Sequence, residues 1–250
     1  MEFTEYKDII VSCENKVARI QINRPDKLNA IRMQTYRELI SAFEVVDGLP
    51  ECHLIVLEGA GGHFSAGNDL LDLVGDDLLP LMECVQGIFK TVARLKKILV
   101  IAVEGVAVGI GTTLLLHCDY AVASGKSKFR LPFVNLGVGP EGGSSVLLSK
   151  IIGEKRARDV LFSGRFFSAD EAYTWGLINA VSEPGKASEV AEEYVRLLLQ
   201  QPLASLMATK QLMKAEQPNI EDVIDNELKI FGTLLATEET RKRITMLLKK

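Results

Sequence analysis

The chain has 250 residues, 47% hydrophobic and 25% charged, with a formal net charge of -4 and a pI near 5.6. That is the profile of a globular protein able to bury a sizeable core. Scattered Lys and Arg on an acidic chain exclude the basic stripe that nucleic-acid binding relies on.

The N-terminus, Met1-Glu2-Phe3-Thr4-Glu5-Tyr6-Lys7, is acidic and mixed rather than basic then apolar. Apolar runs elsewhere stay well short of the ~20 residues a membrane span needs. Neither secretion nor membrane insertion is expected, and a cytoplasmic setting fits. The terminal Leu-Leu-Lys-Lys is no match to the short peroxisomal address, which does not exclude that organelle. Cys13, Cys52, Cys84 and Cys118 lie far apart without a Cys-x-x-Cys pair, which predicts reduced thiols, no zinc site and no disulfide.

Ile9 to Val11 and Val17 to Ile22 read as a β-hairpin turning at Glu14-Asn15-Lys16. A turn-rich loop, Asn23-Arg24-Pro25-Asp26-Lys27-Leu28-Asn29, leads into helical spacing over Met33 to Val46. The order then repeats. Leu54 to Leu57 is a short strand, Glu58 to Asn68 a glycine-rich loop, and Leu78 to Leu95 a helix. Ile98 to Val103 is a strand followed by glycines and the helix-like Thr113 to His117, and Tyr120 to Ala123 is a further strand. Strands alternating with helices predict an α/β fold with its chemistry in loops at strand ends. From Lys155 onward the pattern is helical: Ala157 to Leu161, Ala169 to Trp175, Ser188 to Gln200, Leu203 to Leu212 and Ile220 to Leu235. Pro202 marks a boundary, so residues 1–200 read as the core and 201–250 as a helical C-terminal region.

Three segments carry candidate chemistry. The loop Gly59 to Leu70 lets a ligand approach its backbone closely. The loop Gly105 to Thr113 puts a helix N-terminus beside a tight turn, where unsatisfied N–H groups suit developing negative charge. It lacks the third glycine of a dinucleotide fingerprint. In Phe129 to Ser145 one carboxylate, Glu141, sits among small and apolar residues. If Pro140 opens a helix, Glu141 is a first-turn acid complementing the dipole, worth about 0.3–1 kcal/mol. If it is buried in a dry site, its pKa rises and it can trade a proton near neutrality. His53, His63 and His117 lack metal-ligand spacing, and His117 reads as a core histidine. Ser65 has no nucleophile elbow around it. Asp69 and Asp119 read as structural, and the basic residues over 241–250 as a solvated helix face with reach to a coenzyme phosphate.

Taken together and in order, Asn23-Arg24-Pro25 with Lys27-Leu28-Asn29-Ala30, Phe64-Ser65-Ala66-Gly67-Asn68-Asp69-Leu70 and Gly109-Ile110-Gly111 resemble the crotonase (enoyl-CoA hydratase/isomerase) family over nearly the whole chain. The resemblance implies a spiral of ββα units with a helical C-terminal subdomain, assembly as a homotrimer or homohexamer through that region, and an acyl-coenzyme A thioester as substrate with no separate cofactor and no metal. It implies that the backbone N–H groups of Asn68 and Ile110 hold the thioester oxygen, each such donor being worth roughly 2.7–4 kcal/mol in a transition state. Lys27, Leu28, Ala66, Gly67, Asp69 and Leu70 then look like the coenzyme A cradle.

Hydratases of the family carry two glutamates at positions held here by Thr113 and Phe133, which speaks against ordinary hydration. Leu131-Pro132-Phe133 and Pro140-Glu141-Gly142-Gly143 look like the Δ3,Δ2-enoyl-CoA isomerases of the peroxisomal type, with Glu141 as the single acid/base. The alternatives are hydration or another reaction of the family, and a non-catalytic acyl-CoA binding protein. Pocket shape is expected to depend on the loop Asp72 to Leu81.

Overall fold

A computed structural model describes residues 6–74, 78–215 and 219–249. Strands β1 (Ile9–Glu14) and β2 (Val17–Ile22) form the expected antiparallel hairpin, with Asn15 and Lys16 at positive φ in its turn. Helix α1 (Met33–Gly48), β3 (Leu54–Gly59), α2 (Leu79–Arg94) and β4 (Ile98–Val103) follow. Then come β5 (Val106–Val108), α3 (Ile110–Thr113), β6 (Tyr120–Ser124), β7 (Lys128–Arg130), α4 (Phe133–Leu136), α5 (Ser144–Ile152) and α6 (Glu154–Ser163). The chain continues through β8 (Phe166–Ser168), α7 (Ala169–Thr174), β9 (Ala180–Ser182), α8 (Ala187–Leu199), α9 (Leu203–Ala215), α10 (Ile220–Leu235) and α11 (Glu238–Leu248).

The main sheet runs β1-β2-β3-β4-β6-β9, parallel from β2 onward, and a second sheet runs β5-β7-β8. Successive passes of the chain add a strand to each sheet, as β4 with β5 and β6 with β7 do. This is the ββα spiral expected. Every residue of β4 is buried, as befits a parallel strand covered on both faces. The two-residue side-chain period divides the core. Ile55, Leu57, Leu99 and Ile101 face α1 and α2. Leu54, Val56, Ile98 and Val100 face Ala187, Ala191, Val195 and Leu198 of α8.

Phe231 and Leu235 of α10 and Ile244 of α11 join the same core as α1 and α2, so these C-terminal helices pack onto the spiral. Among the described residues no helix is long and apolar enough to cross a membrane. Of the loop Asp72 to Leu81, residues 75–77 lie outside the described part.

The expectation of four reduced thiols is corrected. Cys13 and Cys52 form a disulfide across 39 residues of sequence, whereas Cys84 and Cys118 are free. Sequence distance is no guide here, because the hairpin turn lies beside the start of β3, where His53 N–H donates to Lys16 O at 2.7 Å.

Candidate active site

Two glycine turns meet at the ends of β3 and β5. Ser65 pairs with the second sheet, its N–H donating to Val106 O at 3.0 Å and its carbonyl accepting from Val108 N–H at 2.9 Å. The loops are locked together one residue before each turn. Gly67 has φ +92°, and a Cβ there would stand 2.8 Å from Val108 O. Only glycine permits both the conformation and the approach. Around this junction Gly67 O accepts from Ile31 N–H, Asp69 N–H donates to Ile31 O and Gly109 N–H to Arg130 O. The N–H groups of Asn68 and Ile110 take no part in these bonds, Ile110 being the first residue of α3, where helical N–H groups have no partner.

The Asn-Arg-Pro segment is the frame for this junction. Asn29 sits at φ 56°, and its Oδ1 accepts from Arg24 N–H at 2.9 Å while its Nδ2 donates to Ala60 O and His63 O at 2.8 and 2.6 Å. Ser65 Oγ donates to Asn29 O and accepts from Gly67 N–H. The Arg24 guanidinium reaches Asp69 at 3.2 Å, and Arg32 holds the buried Asp8 at 2.7 Å. Asp69 is thus a structural partner. Lys27 and Leu28 stand at an exposed rim, Leu28 in the left-handed region with its carbonyl accepting from Ala66 N–H.

Beside the junction lies a cavity of about 400 Å³, lined by Ala66, Gly67, Asn68 and Leu70, by Phe133, Leu136 and Val138, and by Phe231, Leu235 and Ile244 of the C-terminal helices. Among the described residues Glu141 is its one acidic lining group. Lys27, Leu28, Asp69 and Ile110 do not line it, though Ile110 is buried next to the lining Gly109. Arg243 reaches the cavity while paired with Glu239 at 2.7 Å. A larger cavity of about 730 Å³ lies under α9, but its charged groups are engaged in structure. There Lys210 donates to Asp119 and Lys97 O, and Lys214 to Ala93 O and Leu95 O.

Glu141 has no solvent exposure, and neither carboxyl oxygen has a hydrogen-bond partner. Burial first, and the negative field of Glu227 second, push its pKa from 4.5 up to about 8. The Asn68 side chain lies near enough to pull slightly the other way without reaching hydrogen-bond geometry. That side chain is oriented by the buried Tyr36, whose hydroxyl donates to Asn68 Oδ1.

The first-turn reading of Glu141 is corrected. Helix α5 begins at Ser144, and Gly142 and Gly143, both at positive φ, carry the chain round between them. A Cβ at Gly142 would stand 2.5 Å from the Phe89 ring, so the turn needs glycine there. His117 Nε2 donates to Gly142 O at 2.7 Å, and burial lowers the pKa of its ring to about 4, keeping it neutral. Glu227, from α10, accepts from Gly143 N–H at 2.6 Å and Ser145 N–H at 2.9 Å.

Thr113 and Phe133 supply no acid here: Thr113 is buried with its hydroxyl donating to Gly109 O, and Phe133 adds an apolar wall. Tyr36 and Glu227 escaped the sequence reading. Glu227 had a signal, a charge at the apolar spacing of Ile224, Leu228, Phe231 and Leu235.

Residues 12–250 match the family model described as Enoyl-CoA hydratase/isomerase. The chain is 30% identical to a crotonyl-CoA hydratase of Syntrophomonas wolfei over 98% of this chain and 96% of that one. It is also 30% identical to the 1,2-epoxyphenylacetyl-CoA isomerase of Escherichia coli over 86% and 84%. The crystal structure of an enoyl-CoA hydratase/isomerase from Pseudoalteromonas atlantica superposes with a TM-score of 0.89 at 31% identity, covering 97% of each chain.

Proposed function

The chain belongs to the enoyl-CoA hydratase/isomerase family, and on that premise we propose that it moves the double bond of a 3-enoyl-CoA to the conjugated 2-position, with Glu141 as its only acid/base. The observation that carries this reading is the buried carboxyl of Glu141, which lines a largely apolar cavity without a hydrogen-bond partner beside two unengaged backbone N–H groups. Syn addition of water calls for two groups, one to activate water and one to protonate carbon. A 1,3-proton shift calls for one.

In this reading the Asn68 and Ile110 N–H groups hold the thioester oxygen. Ionised Glu141 takes a proton from C2, the oxyanion of the dienolate is stabilised by those donors, and the same carboxyl returns the proton to C4. A pKa near 8 suits a group that must both accept and give a proton close to neutrality. Ala66, Gly67 and Leu70, with Lys27 and Leu28 at the rim, cradle the coenzyme, and the walls of Phe133, Leu136, Phe231 and Leu235 take an aliphatic acyl chain. Leu212 and Met213 of α9, each 73% exposed, fit burial in a homotrimer or hexamer.

The second reading, hydration, is favoured by the name of the Syntrophomonas relative. The test mixes the protein with a medium-chain 3-enoyl-CoA and follows the ultraviolet absorbance of the conjugated thioester, with 2-enoyl-CoA alongside. Conjugation should appear and fall by at least about 100-fold in Glu141→Gln. Consumption of the 2-enoyl thioester instead points to hydration, and thioester binding without turnover in either assay points to a binding protein.

A further inference from the structure

The Glu141 turn is held from three sides. Its carbonyl accepts from Ser144 N–H and Ser144 Oγ, its Gly142 carbonyl from His117, and its Gly143 and Ser145 N–H groups are taken by Glu227, which reaches across from α10 with only 5% of its surface exposed. Of these holds only Glu227 brings a charge. Its carboxylate occupies the place of a helix cap for the nine-residue α5, where Gly143, the residue at the cap position, has no side chain to serve. Charge-assisted bonds from two backbone N–H groups stabilise its ionised form.

We propose that Glu227 is the positioning residue of Glu141: its carboxylate fixes the turn that carries Glu141 and places a permanent negative charge behind it. The role rests on the reading of Glu141 as the acid/base. Two buried carboxyls lie within electrostatic reach, and their surroundings divide the work. Glu227 has backbone donors and settles as the anion. Glu141 has none and keeps its proton longer, because ionising it beside Glu227 costs more than ionising it alone. Burial pushes the Glu227 carboxyl up as well, and the Ser145 and Gly143 donors hold it back.

The other groups around the pair do not supply this charge. Tyr36 from α1 and Cys84 from α2 are buried and stay neutral, their pKa values raised first of all by burial. His117 stays neutral for its own reason, burial lowering its pKa to about 4. Asn68 is uncharged, Arg130 and Arg243 line the cavity with the opposite charge, and Asp72, which accepts from Met33 N–H at the start of α1, is not among the groups that raise the pKa of Glu141.

The test uses Glu227→Gln, which keeps the shape and removes the charge, and Glu227→Asp, which keeps the charge. The Glu141 carboxyl is titrated by infrared difference against Glu141→Gln, a readout that needs no turnover, and the pH profile of kcat/KM on 3-enoyl-CoA is recorded beside it. Glu227→Gln should move the Glu141 titration and the acid limb of the profile down by at least about half a pH unit. Glu227→Asp should leave both near wild type while kcat drops. In the wild-type protein the Glu227 carboxyl should ionise before that of Glu141, a comparison independent of whether the variants fold.

An unmoved Glu141 titration in Glu227→Gln, or Glu141 ionising first, overturns the proposal and leaves Glu227 as a helix cap. A shifted Glu141 titration in a protein that never isomerises 3-enoyl-CoA instead sinks the reaction and leaves the positioning role standing.

Discussion

At the scale of single residues, the described acidic side chains in and around the site differ in whether they have partners. Glu141 is buried and unpartnered, while Asp8, Asp69, Asp119 and Glu227 all accept hydrogen bonds or ion pairs. A free-enzyme base must be ionised to act, so kcat/KM should climb with pH and level off above about 8, as steady-state rates on 3-enoyl-CoA would show. Tyr36 belongs to the same scale. Its hydroxyl fixes the Asn68 amide, so Tyr36→Phe frees the amide to rotate and removes a small pull that favours the Glu141 anion. We expect kcat to fall about tenfold and the acid limb to move up, opposite in sign to the Glu227→Gln shift. Glu141 itself was visible in the sequence as an isolated acid among small and apolar neighbours. Its partners were not, because a hydroxyl on a buried helix face looks like ordinary core, and because Tyr36 and Glu227 lie 105 positions before and 86 after it in the chain.

At the scale of elements, strands of five or six residues and most helices were legible, whereas the three-residue strands were not. The period-two and helical patterns placed β1 to β4 and α1, α2, α8 and α10 within a few residues. Strands β5, β7, β8 and β9 have three residues each, too few for any period to register. Helix α5 begins at Ser144 rather than at the Pro140 opening weighed from the sequence, because Gly142 and Gly143 turn the chain first. The loop motifs, by contrast, were plain, since their glycines and asparagines answer to fixed backbone demands. Asn29 shows the energetic weight of such a demand. Its side chain makes three hydrogen bonds from a left-handed backbone position, so Asn29→Ala should lower the denaturation free energy by about 2–4 kcal/mol, read as a fall in the urea midpoint at unchanged slope. It should also reduce turnover, because the loop that it anchors presents the Asn68 N–H.

For the whole molecule, burying a carboxyl without partners has a cost that depends on pH. In the unfolded chain Glu141 ionises near 4.5, whereas in the folded protein it keeps its proton to about 8. The folded state therefore binds more protons between those values, and stability falls as pH rises through that window. Glu141→Gln escapes the penalty. Its melting temperature should equal that of the wild type near pH 4 and exceed it at pH 8.5, with a free-energy gap on the order of a few kcal/mol. An equal or lower melting temperature at pH 8.5 would count against burial as the cause of the raised pKa. Such a variant, sturdier and inactive, is the expected signature of a site kept at the expense of stability.

The C-terminal helices give the architecture a temporal side. Phe231, Leu235 and Ile244 close the cavity, Glu227 ties the Glu141 turn, and Thr240 Oγ1 donates to Gly137 O. All of them leave the ribosome after every strand of both sheets has been made. A growing chain can assemble the junction of its two glycine turns while Glu141 is still unmoored and one wall of the cavity still missing, so the proposed site is complete only once residues 227–244 have emerged.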